Sequence, residues 1–512
     1  MYRYLLITGL VIMWAPSAAR AEYRDLLQEW ETYAPPAYVR SIESTPAVAA
    51  LNPADQAFLE EKKRIASAAA EWREALASPG PEKVFYYPEA RLFQSLQSAA
   101  SNAGEATRVV ADQFSLKTME ALVFLRNPGI RAAEKFFLAS IEDFSQVSAL
   151  DEILRRYAAF TKGLMTEVGP MKGKDPIGMA FPYPGVLALK GQIAHQEVRA
   201  AWEMLEMSRR DTVTSARISF WKLLYNLKAQ KIASETLALL EYLEKVATKR
   251  YEAGKTSFQD VIKVRIERDI LGENVKTLEE IQRNIEAKLL ELLSLPPDTR
   301  LGTPGYIETP LEIPVLDSLY GSALVRRQEL QRKRAVIGKM ERMVEMIETM
   351  VIPPFTLNLS LYDDEAVNKV GFTATKETFP VKTKAYTGAG LPKMPWYGSN
   401  DAYLLKTKQK LQALKEDLKE NEAVALTMVR EAWFDLDLAR REGLLYRDRV
   451  VQQTQAALDV SLRGYESGNV TFADIISSYK IWLQARLKLY KERSHLESAW
   501  AELERTVGVT LR

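Results

Sequence analysis

Two aspartates stand three residues behind a hydroxyl residue in two copies of one motif: Asp260 in RYEAGKTSFQDVI, residues 250–262, and Asp474 in GYESGNVTFADII, residues 464–476. An S/T-x-x-D pattern that opens an apolar run is a capping box, in which hydroxyl and carboxylate satisfy the unpaired N–H groups of a helix start. Beyond capping, a carboxylate so placed can attract a cation or accept a hydrogen bond. Harder chemistry lacks its parts. The 512 residues include no cysteine and only two histidines, His195 and His495, neither with a second histidine at metal-ligand spacing. Disulfides, thiolate metal sites, a cysteine nucleophile and a lipidated cysteine are thereby excluded. Both histidines read as surface or packing residues, and no Gly-rich phosphate loop or catalytic constellation stands elsewhere. The chain is read as not an enzyme, with no cofactor and no metal site.

The elements that carry the two motifs follow from what surrounds them. Proline is absent after Pro184 as far as Leu295 and again from Trp396 to the C-terminus. A proline inside a helix costs about 3 kcal/mol, so these stretches are free to form very long helices. Leu224, Leu227, Leu240, Leu243, Ile270, Leu278, Ile281, Ile285, Leu289 and Leu292 recur at three- and four-residue spacings between charges, the pattern of helices that pack on helices. The stretch from Gly191 to Arg250 would reach about 90 Å at 1.5 Å per residue, which predicts an elongated protein. With an offset of 214, Tyr251 pairs with Tyr465, Glu252 with Glu466, Gly254 with Gly468, Phe258 with Phe472, Asp260 with Asp474 and Ala287 with Ala501. The chain is an internal duplication. Gly254 and Gly468 suit the left-handed position that ends a helix, and Ser257 and Thr471 suit the N-cap of the next. Each half is therefore a long helix, a tight tip and a returning antiparallel helix.

Between the hairpins the composition changes. Phe355 to Leu361, FTLNLSL, alternates apolar and polar residues, and Val370 to Val381 continues more loosely. Both have about the length of a tilted membrane strand. The matching part of the first half, Gly163 to Gly185, is Gly/Pro-rich and predicts only weak strands, with FPYPG at 181–185 turning the chain into the next helix. Residues 22–115, with Pro35-Pro36, Pro79 to Pro81 and an alanine-rich stretch from Phe58 to Ala77, read as a separate, mostly helical region. The repeats then occupy 116–300 and 301–512.

Residues 1–21 pair a basic Arg3 with an apolar run from Leu5 to Ala15 and end Ala19-Arg20-Ala21, a secretory signal peptide expected to be cleaved after Ala21. That run is too short to span a bilayer. Composition is 47% hydrophobic and 27% charged, enough for two or three domains. Lys and Arg total 69 against 67 acids, and removing Arg3 and Arg20 with the leader leaves 67 against 67. Attraction to nucleic acid is not expected from such a balance.

Taken together, the chain resembles the TolC outer-membrane efflux family from Phe114 to Val509. The resemblance is carried by the two tips, by FLRNPGIRAAE at 124–134 and RRQELQRKRAVI at 326–337, which are similar to the opening helices of the family's two halves, and by PPFTLNLSLY at 353–362, similar to its first strand of the second repeat. KDPIGMAFPYPGVLALKGQIA, at 174–194, is similar to a segment common in heavy-metal exporters of the family. The resemblance implies a mainly α fold with a small β part: duplicated antiparallel helical hairpins of coiled-coil type, plus strands given to a trimeric outer-membrane β-barrel. Such a homotrimer extends from outer-membrane lipid into the periplasm. There its tips, Gly254, Lys255, Thr256 and Ser257 with Gly468, Asn469, Val470 and Thr471, meet a periplasmic adaptor (membrane fusion protein) that links it to an inner-membrane transporter. The cargo would be small molecules or metal ions. Trimerisation agrees with physics, since a few strands with open edges cannot sit in lipid.

The resemblance also assigns roles. Asp474 matches the acid whose ring narrows the channel and favours cations, although Ser477 stands where the family often has a second acid; on its own chemistry Asp474 is also a capping acid. Asp260 and Tyr465 match a closed-state gate latch, with Val470 in the place of its basic residue, which leaves a hydrogen bond without a salt bridge. Tyr465 equally suits hairpin packing. The alternative function is a periplasmic scaffold of the same hairpins that does not span the membrane.

Overall fold

The computed structural model describes residues 53–80, 84–168, 184–305, 312–351, 397–467 and 469–511. The chain divides into two compact units, Met1–Ala57 and Phe58–Arg512. Of the first, only residues 53–57 at the start of a helix are described, and the second carries the features below. The leader, the two predicted strands at 355–361 and 370–381, and Gly468 lie outside the described residues.

Thirteen α-helices are described: α1 (Pro53–Ala77), α2 (Ala90–Ser95), α3 (Gln97–Ser101), α4 (Ala103–Asp112), α5 (Leu116–Arg126), α6 (Pro128–Val168), α7 (Pro184–Glu252), α8 (Phe258–Leu293), α9 (Leu316–Arg326), α10 (Gln328–Val351), α11 (Tyr397–Leu445), α12 (Val451–Ser467) and α13 (Phe472–Val507). One π-helical turn, Tyr446–Val450, joins α11 to α12 without a break in the rod. The run α5–α6–α7–α8 recurs as α9–α10–α11/α12–α13. At 69 residues α7 is about 100 Å long, in line with the proline-free sequence. The helix α6 continues through Val168 and takes residues 163–168 of the segment expected to hold weak strand.

Near the start of the long helices α7 lies between α6 and α10, and α10 packs on α11; further along, α7 packs on α8 and α13, and α13 on α11 and α12. The contacts follow the helical periodicity. Ile130, Phe137, Ile141 and Phe144 of α6 meet Ala194, Val198, Trp202 and Leu205 of α7. Burying each large side chain stabilises by about 1.5–3 kcal/mol. Residues 58–115 are not a separate body. Ile65 and Ala69 of α1 join that α6–α7 core, and Leu96, Ala99, Ala106 and Val110 share a core with Met119, Phe220, Leu289 and Leu293. Their small residues let short helices lie close on the long ones.

Buried polar groups hold the two halves in the same way. At the α5–α6 break Arg126 donates from Nε to Leu293 O (3.1 Å) and from Nη2 to Ser294 O (3.0 Å), and Asn127 Nδ2 donates to Leu292 O (3.0 Å). At the α9–α10 break Arg327 Nη1 donates to Thr506 O (2.7 Å) and Gln328 Nε2 to Gly508 O (2.8 Å). Each break thus satisfies the otherwise unpaired carbonyls at the end of its returning helix, where a cation is favoured. Deeper in the core Arg217 of α7 lies between Glu120 of α5 (2.5 Å) and Glu504 of α13 (2.6 Å). Charges taken from water are tolerated there because each is paired.

Candidate functional site: the paired hairpin tips

The first tip ends α7 with Gly254 at φ +70°, a left-handed conformation that glycine adopts without strain, while the Lys255 N–H donates to Arg250 O (2.8 Å). Ser257 is the N-cap residue of α8 by backbone geometry (φ −85°, ψ 153°), but its side chain makes no capping hydrogen bond. The S-x-x-D box expected there does not form. Instead the neighbouring Thr256 hydroxyl donates to the Asp260 carboxylate and takes the acid that the box would need.

The second tip forms its box in full. Thr471 donates to Asp474 Oδ2 from its backbone N–H (3.2 Å) and its hydroxyl (2.6 Å), and the Asp474 N–H donates to Thr471 Oγ1 (3.3 Å). Asp474 is exposed on the first turn of α13, as is Ser477. The Asn469 and Val470 N–H groups close the turn on Gly464 O (2.8 and 3.2 Å). Val470 packs so tightly on Gly464 that a Cβ there would lie 2.4 Å from Val470 Cγ2. A side chain at position 464 would force Val470 to move.

The two tips meet. Val261 and Val264 of the first hairpin, with Leu243 and Ala247, share a core with Tyr465, Phe472, Ile475 and Tyr479 of the second. Tyr465 stacks edge-on against Phe472 (centroids 5.6 Å) and is 5% exposed. Its hydroxyl is buried close to the Thr256 hydroxyl and Asp260, without full hydrogen-bond geometry to either. Burial pushes the Tyr465 phenol up from its usual pKa. Asp260 and Tyr465 therefore share one end of the molecule without bonding to each other. What does hold Tyr465 is Arg250, whose guanidinium lies 4.4 Å over the ring and donates to the Tyr465 carbonyl. The sequence signal for Arg250 was the duplication itself, which sets an arginine opposite Gly464.

The histidines lie away from this site. Trp72 Nε1 donates to His195 Nδ1 (3.4 Å), and His495 Nδ1 lies 3.3 Å from Glu492.

The equivalent aromatic pairs of the two tips differ in cover. Tyr465, Phe472 and Ile476 are 5%, 2% and 9% exposed, while their counterparts Tyr251, Phe258 and Ile262 are 45%, 49% and 42% exposed. The open face continues along α8 with Ile266 (51%) and Ile270 (52%), four residues apart. In one repeat this face is covered by the other repeat, and in the other repeat it is bare.

No protein-family model matches the chain, and no curated protein does so. Solved structures do match. The outer membrane protein VceC from Vibrio cholerae is similar at 14% identity, a TM-score of 0.56, and 83% of this chain against 100% of that one. The outer-membrane channel OprN matches with the same identity and TM-score over 84% of this chain and 95% of its own. The MtrE outer membrane channel of Neisseria gonorrhoeae matches with 14% identity and a TM-score of 0.52 over 78% and 89%. The chain has the fold of the TolC-type outer-membrane efflux channels.

Proposed function

We propose that the chain is an outer-membrane channel of a tripartite exporter, a passive conduit for small molecules or metal ions. The observation that carries this reading is the unequal cover of the two repeats. A face that the second repeat buries against the first within the chain, yet that is bare on the first repeat, is complementary to the second repeat of another copy. Such head-to-tail contacts close into a ring when the rotation permits, and in this reading three copies close around a tunnel. The segments 169–183 and 355–381 would supply the strands of a shared barrel, whose closure removes the open edges that lipid does not tolerate.

In this reading the tips close the periplasmic end. Three copies of Asp474 form a ring that attracts cations and disfavours anions. The first tip, with Asp260 close by, holds Tyr465 of the second in the closed state. Residues 254–257 and 468–471 face the periplasmic adaptor that couples the channel to an inner-membrane transporter. Native mass spectrometry in detergent, followed by conductance in planar bilayers, tests the proposal. A trimer that conducts is expected. A monomer that is extracted without detergent and conducts nothing would instead identify a periplasmic scaffold.

A further inference from the structure

We propose that Arg250 is the group by which the first tip holds the second, gripping Tyr465 through its ring face and main-chain carbonyl, with the Tyr465 hydroxyl taking no part. The inference rests on the channel reading above and assigns its closed-state hold to a residue outside the expected Asp260–Tyr465 pair.

Three observations converge on it. Arg250 lies in the last turn of α7, four residues before the left-handed Gly254, so it projects from the end of a rod and not from the turn. Its guanidinium makes two different contacts with one residue 215 positions away: Nη1 donates to the Tyr465 carbonyl, and the group lies 4.4 Å over the ring centroid. A cation over an aromatic face gains most where water is excluded, and both the Arg250 Nε and the Tyr465 hydroxyl are buried without a hydrogen-bond partner among the described residues. The ring and the carbonyl dipole both answer the charge of Arg250.

The duplication explains why the arginine is on the first tip. Its counterpart in the second repeat is Gly464, and Val470 occupies the space in which a side chain at 464 would stand. Val470 also sits where a latch base was expected. Position 464 is therefore crowded by Val470, and the first tip supplies a basic group against Tyr465 from across the interface.

The ring and the carbonyl, not the hydroxyl, then set how firmly the tips stay shut. In single-channel recordings Arg250→Met and Tyr465→Leu should each raise open probability on the order of tenfold or more, and the double variant should open no further than either alone. Tyr465→Phe should stay within about twofold of wild type, since the ring and carbonyl remain. Arg250→Lys, with the charge kept but the planar fork lost, should fall between. Raising salt should change wild-type gating little, because buried contacts are weakly screened. Trimer mass and melting temperature close to wild type would show that the variants report on gating and not on misfolding. Should Arg250→Met fail to assemble, Tyr465→Phe against Tyr465→Leu still decides. Wild-type open probability in Arg250→Met, or opening by Tyr465→Phe as large as by Tyr465→Leu, would overturn the proposal. Should the wild-type protein conduct nothing, the channel reading falls, and the grip is decided by amide hydrogen exchange over residues 464–471. Exchange there is expected to speed at least tenfold in Arg250→Met, and unchanged exchange would reject it.

Discussion

Glu203 shows how strongly one residue's surroundings can set its protonation. It lies on α7 beside Trp202, and burial together with the nearby Glu206 pushes its carboxyl from 4.5 up to about 8, against the opposing pull of Arg199. Because the folded state favours the neutral acid, the stability this group contributes is fully present below its unfolded pKa and is lost as pH rises through about 8. Glu203→Gln should therefore melt higher than wild type near pH 9 and no higher near pH 4, as followed by circular dichroism. A pH-independent difference would show that the carboxyl is not held this way. In the proposed channel, Asp474 has a second role besides its cap. Asp474→Asn keeps an acceptor for the Thr471 cap but removes the charge, so reversal potentials in a salt gradient should lose cation preference while stability falls by less than about 1 kcal/mol. The capping role of Asp474 was legible in the sequence, because T-x-x-D involves only neighbours. The same pattern at Ser257 misled, because an adjacent hydroxyl, Thr256, competes for the acid. Arg250 was not legible as a holding group, since its partner lies in the other repeat and its role depends on how two hairpins dock.

At the scale of elements, α8 and α13 are copies with different neighbours. In the proposed ring, the bare stripe of Ile262, Ile266 and Ile270 on α8 is the surface that a second copy covers. Ile266→Asp places a charge in the middle of that stripe, where burial without a partner is costly. Native mass spectrometry should show the trimer lost in favour of monomer, with far-UV circular dichroism per residue nearly unchanged because α8 still packs on α7. A stable trimer would remove this face from the assembly. Helix lengths and tip positions were legible from proline spacing and the duplicated motif, which act locally. The placement of residues 58–115 was not. Their alanine-rich composition reads as a detached helical region, yet the same small side chains are what allow close packing on α6, α7 and α8. The docking of a short helix on a long one is decided by the surface it meets, and a sequence window does not contain that surface.

On the scale of the whole molecule, the two halves are held by the same device at the same place, an arginine at a helix break that closes on the carbonyls of the returning helix. The repeats nevertheless differ in one respect along their long rods. Where α7 is unbroken, the second repeat passes through the π turn at Tyr446–Val450, just after which the Thr454 hydroxyl donates to the Val450 and Val451 carbonyls (2.8 and 3.1 Å). A π turn of this kind accommodates one extra residue inside an α-helix. Elsewhere a single-residue deletion turns everything downstream by about 100° about the helix axis, which would swing Leu458 and Tyr465 away from α13. Within the bulge the same deletion restores ordinary winding and leaves the downstream face in phase. Removing Arg449 should thus give a protein that melts near wild type, while removing one residue between Leu224 and Leu243 of α7 should abolish assembly. The bulge is in this sense a scar of insertion, the one place where the rod can lose a residue and keep its aim.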